Sequence, residues 1–140
     1  MSIKQLSVFA GNEKGSIADI TDVLSKAGVN LRAMTVADTV DFGILRLIAD
    51  DTDKAVGALK EAGIIAGVTE VTSFTVPDEP GGLARVLRTL SDGGINAEYM
   101  YSLFAGRDGS AQIVIRVSDN ALAEKILIDA GVEVSAGSDL

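Results

Sequence analysis

The sequence predicts an α+β protein made of two tandem βαββαβ units, each with an antiparallel sheet and both helices on one face. The first observation behind this prediction is an internal repeat, because the surroundings of Gly15 recur 66 positions later around Gly81. The second is that alternating apolar residues, typical of strands, exchange regularly with apolar residues at helical spacing. We therefore expect one unit at residues 1–71 and a second at residues 72–140.

The first half contains strand and helix signals with recognisable stops. Ile17 opens a run of apolar residues at helical spacing, and Gly28 stands where a left-handed cap ends a helix. Carboxylates at residues 50–53 supply N-cap oxygens for a second helix, which Gly63 ends. The predicted elements are, in order, a strand at 3–10, a helix at 17–27, strands at 29–37 and 42–49, a helix at 55–62 and a strand at 64–71.

The second half repeats this order. Asn30 matches Asn96 at the offset of 66, and after the hairpin the offset grows to 68. The pair Asp108-Gly109 predicts the hairpin turn, and Ser118-Asp119 predicts the cap of the last helix. The predicted elements are a strand at 74–76, a helix at 83–90 stopped by Gly93-Gly94, strands at 95–103 and 112–117, a helix at 122–130 and a strand at 132–134.

The sheet face away from the helices has a mixed character. If Leu45 and Leu47 face the helices, the other face of that strand presents Ile44, Arg46 and Ile48. Such a surface is too apolar to be fully wet and too charged to be a dry core. We expect sheets from two units or two chains to meet there, which favours a homodimer.

Charge and composition exclude several classes of partner. The 140 residues include 12 basic and 20 acidic ones, a net charge of −8 without a basic stripe, so neither nucleic acid nor an anionic membrane is an expected partner. No uncharged run is long enough to span a membrane, and the first residues lack the apolar stretch of a signal peptide. Together with the absence of cysteine, this makes the cytoplasm the expected location.

Groups for catalysis are scarce. The chain has no histidine and no cysteine, which removes the commonest general base and the thiol nucleophile. It also lacks the glycine-rich motifs that hold nucleotide phosphates. We expect no enzymatic activity, no cofactor and no metal, since helix capping explains the aspartates at 50–53.

The two turns at the centre of the repeat are the strongest candidates for a binding site. Each joins a strand to a helix, at residues 12–17 and at residues 78–83, and each contains a glycine. A glycine permits a tight turn, and the amides of the first helical turn then point outwards toward a carboxylate or phosphate. The structural alternative is that Asn12 forms only an Asx turn and Gly15 only a turn.

The order of these motifs resembles the ACT domain. In each half a strand leads to an Asn/Asp-x-x-Gly turn and a helix, and Gly-Val/Ile-Asn then opens the next strand. The segments 41–46, 98–102 and 138–140 resemble those of small stand-alone tandem ACT proteins of bacteria. The resemblance covers nearly the whole chain and implies two ferredoxin-like units.

In ACT families, amino acids or similar small molecules bind where the first turn of one unit faces the second strand of another. The resemblance therefore implies two ligand-binding sites, which are not equivalent because Arg32 in one half corresponds to Glu98 in the other. The residues that the resemblance carries over are Asn12, Gly15, Asn30 and Arg32 in the first half and Asp78, Gly81, Asn96 and Glu98 in the second. Position in the turns or side-chain chemistry adds the candidate binding residues Lys14, Ser16, Ile17, Met34 and Phe42 in the first half and Gly82, Leu83, Tyr99 and Tyr101 in the second.

The chemistry of these residues suits a free amino acid. Helix-start amides donate hydrogen bonds to its carboxylate, and the methionine and aromatic side chains form a wall that favours a histidine-like, aromatic or branched aliphatic ligand. The same side chains are equally compatible with a core or an interface. We expect a regulatory sensor of an amino acid; the alternatives are a regulatory subunit of a biosynthetic enzyme and a dimerisation module without a ligand.

Overall fold

The computed structural model describes residues 2–11, 13–38, 42–104 and 108–136, apart from the side chains of Asp38 and Phe42. These residues form two compact units. The N-terminal unit comprises residues 4–69, and the C-terminal unit comprises residues 70–140 together with the first three residues of the chain.

The N-terminal unit contains an antiparallel sheet in the order β2-β3-β1. Gly11 at the end of β1 pairs with Phe42 at the start of β3, and Leu31 at the start of β2 pairs with Ala49. The elements are β1 (Ile3–Gly11), α1 (Ser16–Lys26), β2 (Leu31–Asp38), β3 (Phe42–Ala49), α2 (Thr52–Glu61) and the first residues of β4 (Ala66–Pro77).

The core of this unit lies between the sheet and the two helices. Leu45 and Leu47 of β3 are fully buried against Leu24 of α1 and Leu59 of α2, which confirms the predicted helix-facing side of β3. Alternation along the strand and a spacing of three or four residues along the helices bring these aliphatic side chains together. The core is aliphatic, as the scarcity of aromatic residues predicts.

The C-terminal unit repeats this arrangement with the strand order β5-β6-β4-β7. Phe74 of β4 and Leu127 of α4 are fully buried at the centre of its core. The remaining elements are α3 (Gly82–Asp92), β5 (Ala97–Ser102), β6 (Ser110–Val117), α4 (Asn120–Asp129) and β7 (Glu133–Ser135).

The four helices of the described residues end as the sequence predicts. Gly28, Gly63, Gly94 and Gly131 each follow a helix with a φ between 75° and 83°, the left-handed conformation that glycine adopts without strain. None of the helices among the described residues is both long and apolar enough to cross a membrane.

One prediction about the strands was wrong. The sequence suggested two strands, at 64–71 and 74–76, whereas β4 is a single strand of 12 residues. Thr72 and Ser73, which lie between the two predicted strands, are fully buried and pair with Ile115 and Val114 of β6. Buried polar side chains on a paired strand do not interrupt it, because the backbone hydrogen bonds continue regardless of the side chain.

Candidate functional site

The turn before α1 has a left-handed glycine at the N-cap. Gly15 has a φ of 87°, and its carbonyl oxygen accepts a hydrogen bond from the amide of Asp19 at 2.8 Å. The amide of Ser16 donates to the carbonyl oxygen of Glu13 at 3.2 Å. Asn12 lies outside the described residues.

The turn before α3 reproduces this geometry. Gly81 has a φ of 83°, and its carbonyl oxygen accepts from the amide of Arg85 at 3.0 Å. The amide of Gly82 donates to the carbonyl oxygen of Glu79 at 3.1 Å. The repeat in sequence is therefore a repeat in backbone conformation at the two predicted turns.

These two helix starts differ from the other two. Asp51 caps α2 by accepting from the amide of Lys54 at 3.1 Å, and Asp119 caps α4 by accepting from the amide of Leu122 at 3.0 Å. No side-chain hydrogen bond caps α1 or α3 within the described part of the chain. The amides of Ser16 and Gly82 already donate to the carbonyl oxygens of Glu13 and Glu79. The amides that follow in each first turn carry partial positive charge, so α1 and α3 present the chemistry that attracts an anion.

The side chains around the turns are mostly exposed. Lys14 and Asp78 are exposed, Ser16 is partly exposed and Ile17 is 39% exposed, whereas Leu83 packs against the core of the C-terminal unit. The presence of glycine at position 82 has a steric explanation, because an added Cβ would lie 2.2 Å from the carbonyl oxygen of Pro77.

The second strand of each unit carries a β-bulge that the sequence did not reveal. The register shifts between Leu31 and Ala33 in β2, and between Ala97 and Tyr99 in β5. The intervening residues are Arg32 and Glu98, which carry opposite charges. Bulges redirect side chains and occur often beside functional sites. The opposite charges of Arg32 and Glu98 therefore stand at positions where they would make the two predicted sites chemically different.

Two of the predicted strand residues already have partners within their own unit. The amide of Asn30 donates to Oδ1 of Asp50 at 3.0 Å, and the amide of Asp50 donates back to the carbonyl oxygen of Asn30 at 3.0 Å. The carboxylate of Glu98 lies 3.8 Å from Nε of Arg116, in a half-exposed ion pair. Such a pair contributes little stability.

Within a single unit, the turn and the second-strand asparagine lie at opposite ends of the sheet. Gly11, which precedes the first turn, pairs with Phe42, and Asp38 at the end of β2 pairs with Gly43. Leu31, which follows Asn30, pairs with Ala49. Ala49 lies six residues beyond Gly43 along β3, so roughly 20 Å of strand separates the two ends. The same relation holds in the C-terminal unit, where Pro77 pairs with Ser110 and Ala97 with Val117.

The predicted apolar wall divides between two faces of the sheet. Met34 and Met100 pack against the cores between sheet and helices, which agrees with the alternative that these side chains belong to the core. Tyr99 and Tyr101 alternate with Met100 and therefore face away from the helices, where both are partly buried. The backbone of Phe42 lies beside the first turn through its pairing with Gly11, while its side chain is outside the description.

Comparison with known proteins identifies the family. A family model for the ACT domain pair matches residues 1–140. The chain belongs to the ACT domain pair family. Membership implies a ligand-binding regulatory role.

Solved structures share the fold of this ACT domain pair. Protein BT0572 from Bacteroides thetaiotaomicron is 42% identical with a TM-score of 0.93, covering 99% of this chain and 95% of that one. The ligand-free regulatory subunit of aspartate kinase from Thermus thermophilus is 14% identical with a TM-score of 0.67, covering 91% of each chain. E. coli aspartokinase III in complex with lysine and aspartate is 14% identical with a TM-score of 0.53, covering 92% of this chain and 31% of that one. No curated protein matches the sequence.

The ACT domain pair has a further concave feature that the sequence did not predict. A groove of about 600 Å³ in the C-terminal unit is lined by residues of β4, α3, the β5–β6 hairpin and the α4–β7 connection. Among the predicted site residues that the structure describes, only Gly82 lines this groove. No cluster of potential metal ligands occurs among the residues that the structure describes.

Proposed function

We propose that this ACT domain pair is a sensor of a free amino acid and transmits ligand occupancy to a partner protein or to its own assembly. The observation that carries the proposal is a difference between the helix starts. Asp51 and Asp119 cap α2 and α4, whereas no side chain of the described residues caps α1 or α3, which begin after Gly15 and Gly81. A carboxylate is the natural partner for such amides.

The proposed site joins the first turn of one unit to the second strand of another. Within one unit the turn and Asn30 are separated by the length of the sheet, so a site containing both groups requires a second unit. The second unit belongs either to the same chain or to a second copy of the chain. The second case requires a homodimer, which is part of the proposal. Arg32 and Glu98 make the two sites chemically different, and Tyr99 and Tyr101 favour a histidine-like, aromatic or branched aliphatic ligand.

The output of the sensor is proposed to be a protein contact. A ligand shifts a conformational equilibrium only through different affinities for the two states, so a regulatory chain transmits ligand binding through what it contacts. Because the fold is shared with a regulatory subunit of aspartate kinase, the proposed partner is an enzyme of amino-acid biosynthesis. A cytoplasmic location belongs to the same proposal.

The test is a thermal-melt screen against the twenty amino acids at millimolar concentration. A ligand at about 100 times its Kd stabilises the protein by ~2.7 kcal/mol, which shifts the melting temperature measurably. We expect a shift for one amino acid or for a chemically related group. No shift with any of the twenty overturns the sensor proposal and favours a dimerisation module.

The location of the site is tested with matched glycine variants. Gly15→Val and Gly63→Val introduce the same strain, because both glycines have positive φ and neither has an atom within 4 Å of an added Cβ. Only Gly15 belongs to the proposed N-terminal site, so Gly15→Val and Asn12→Ala should reduce the ligand shift to the part that the C-terminal site supplies, while Gly63→Val retains the full shift. An equal ligand shift in Gly15→Val and Gly63→Val contradicts the site in the N-terminal unit.

A further inference from the structure

The groove in the C-terminal unit has the composition of a small-molecule site. Its volume of about 600 Å³ lies within the range of roughly 300–1,000 Å³ that is usual for such sites. Val132 and the small accessible parts of the core residues Val76 and Val86 give it an apolar surface. Ser110 and Thr89 also line it, and the Thr89 hydroxyl donates to the carbonyl oxygen of Arg85 at 2.9 Å. Apolar walls with a few polar groups are the usual pattern of a ligand pocket.

Opposite charges border this groove on different elements. Arg85 comes from α3 and Glu133 from the start of β7. Nη2 of Arg85 lies 2.9 Å from Oε1 of Glu79, and Nη1 lies 3.2 Å from the position of a Cβ on Gly81. The guanidinium group is thus held over the start of α3.

The ion pair of Arg85 with Glu79 is open to exchange. The two side chains are 63% and 55% exposed, and pairs at such exposure contribute little to stability. A guanidinium has five N–H donors in a planar fork that matches a carboxylate, and the bond to Glu79 engages one of its terminal nitrogens. An incoming carboxylate therefore finds donors at Arg85 beside the helix start.

We propose that this groove is a second binding site, for a zwitterionic α-amino acid with an apolar side chain. Arg85 holds the carboxylate, Glu133 holds the ammonium group, and the side chain lies on the surface formed by Val76, Val86 and Val132. The groove shares the start of α3 with the turn–strand site of this unit, but it extends to the α4–β7 connection and does not include β5.

The internal repeat limits this site to the C-terminal unit. At the offset of 66, Arg85 corresponds to Asp19, and at the offset of 68, Glu133 corresponds to Ile65. Neither the cation nor the matching carboxylate is present at these positions of the N-terminal unit. The duplicated fold therefore contains its own comparison, and we expect no equivalent of this site in the N-terminal unit.

The test is a methyl-NMR titration of the full chain with L-leucine and with L-phenylalanine. We expect saturable shifts of the Val76, Val86 and Val132 methyl resonances. N-acetyl-L-leucine lacks the ammonium group and L-leucinamide lacks the carboxylate, so each should bind more weakly by roughly tenfold or more. Absence of shifts at all three valines with both amino acids overturns the proposal, and shifts at β5 alone assign the ligand to the turn–strand sites instead.

Four variants test the charged groups. Arg85→Gln and Glu133→Gln should each weaken L-leucine binding by roughly 10- to 100-fold. Glu79→Gln should tighten binding because it releases Arg85, whereas Arg88→Gln, one exposed arginine further along α3, should leave the affinity unchanged. Equal weakening by Arg85→Gln and Arg88→Gln, or by Arg85→Gln and Glu79→Gln, overturns the assignment of Arg85 as the carboxylate ligand.

Discussion

Gly82 approaches Pro77 so closely that an added Cβ would lie 2.2 Å from the Pro77 carbonyl oxygen. Gly82 is buried as the first residue of α3, directly after the left-handed Gly81. The turn between β4 and α3 thus depends on two glycines for different reasons, one for its backbone conformation and one for the absence of a side chain.

Gly82→Ala is expected to destabilise the protein by about 1–3 kcal/mol, because the new methyl group must displace backbone rather than a flexible side chain. The measurement is urea denaturation followed by circular dichroism. Gly57→Ala is the matched control, since Gly57 is an exposed residue of α2 with open space around it. That variant should gain about 0.5–1 kcal/mol from helix propensity, and a loss of equal size in both variants would contradict the steric explanation.

Thr72 and Ser73 are adjacent buried hydroxyl residues with different hydrogen bonding. Oγ1 of Thr72 donates to Oδ1 of Asn120 at 2.8 Å, whereas the hydroxyl of Ser73 has no hydrogen-bond partner among the residues that the structure describes. Thr72→Val should cost about 1–3 kcal/mol because it leaves the Asn120 oxygen without its donor, while Ser73→Ala should be neutral or stabilising by up to about 1 kcal/mol. Chemical denaturation of both variants measures this difference, and a larger loss for Ser73→Ala would reverse the interpretation.

The aspartate caps of α2 and α4 should be individually measurable. Asp51→Ala and Asp119→Ala each remove the acceptor for a first-turn amide and should cost about 1 kcal/mol. Asp51→Asn keeps an oxygen at the same position and serves as the control, with a much smaller expected change. Hydrogen exchange of the Lys54 and Leu122 amides provides a local readout, because each should exchange faster only in the variant that lacks its own cap.

The ion pair of Lys125 and Asp129 should affect the titration of the lysine. Nζ of Lys125 lies 2.6 Å from Oδ2 of Asp129, and this hydrogen bond, helped by the negative charge, raises the Lys125 pKa above its ordinary value of 10.5. Because the folded pKa is raised, any contribution to stability is fully present below the unfolded pKa and is lost as the pH rises through the folded pKa. NMR titration should show the pKa returning toward 10.5 in Asp129→Asn, and an unchanged pKa would exclude Asp129 as the cause.

Local sequence was sufficient for the order of elements and for the inner face of each sheet. The positive φ of Gly15 and Gly81 and the cap at Asp119 follow from turn chemistry that involves only neighbouring residues. The burial of Leu45 and Leu47 follows from alternation along one strand. These features depend on contacts that are close in the chain, so the sequence predicts them directly.

The tertiary structure decided what depends on strand pairing. The continuity of β4, the bulges at Arg32 and Glu98, and the distance between the turn and Asn30 are properties of register between strands far apart in sequence. The groove beside Arg85 likewise required α3 and β7 to come together across nearly fifty residues. By itself the sequence determined the duplicated ACT plan and its two turns. Which residues share a surface was decided only by folding, because non-local pairing places them there.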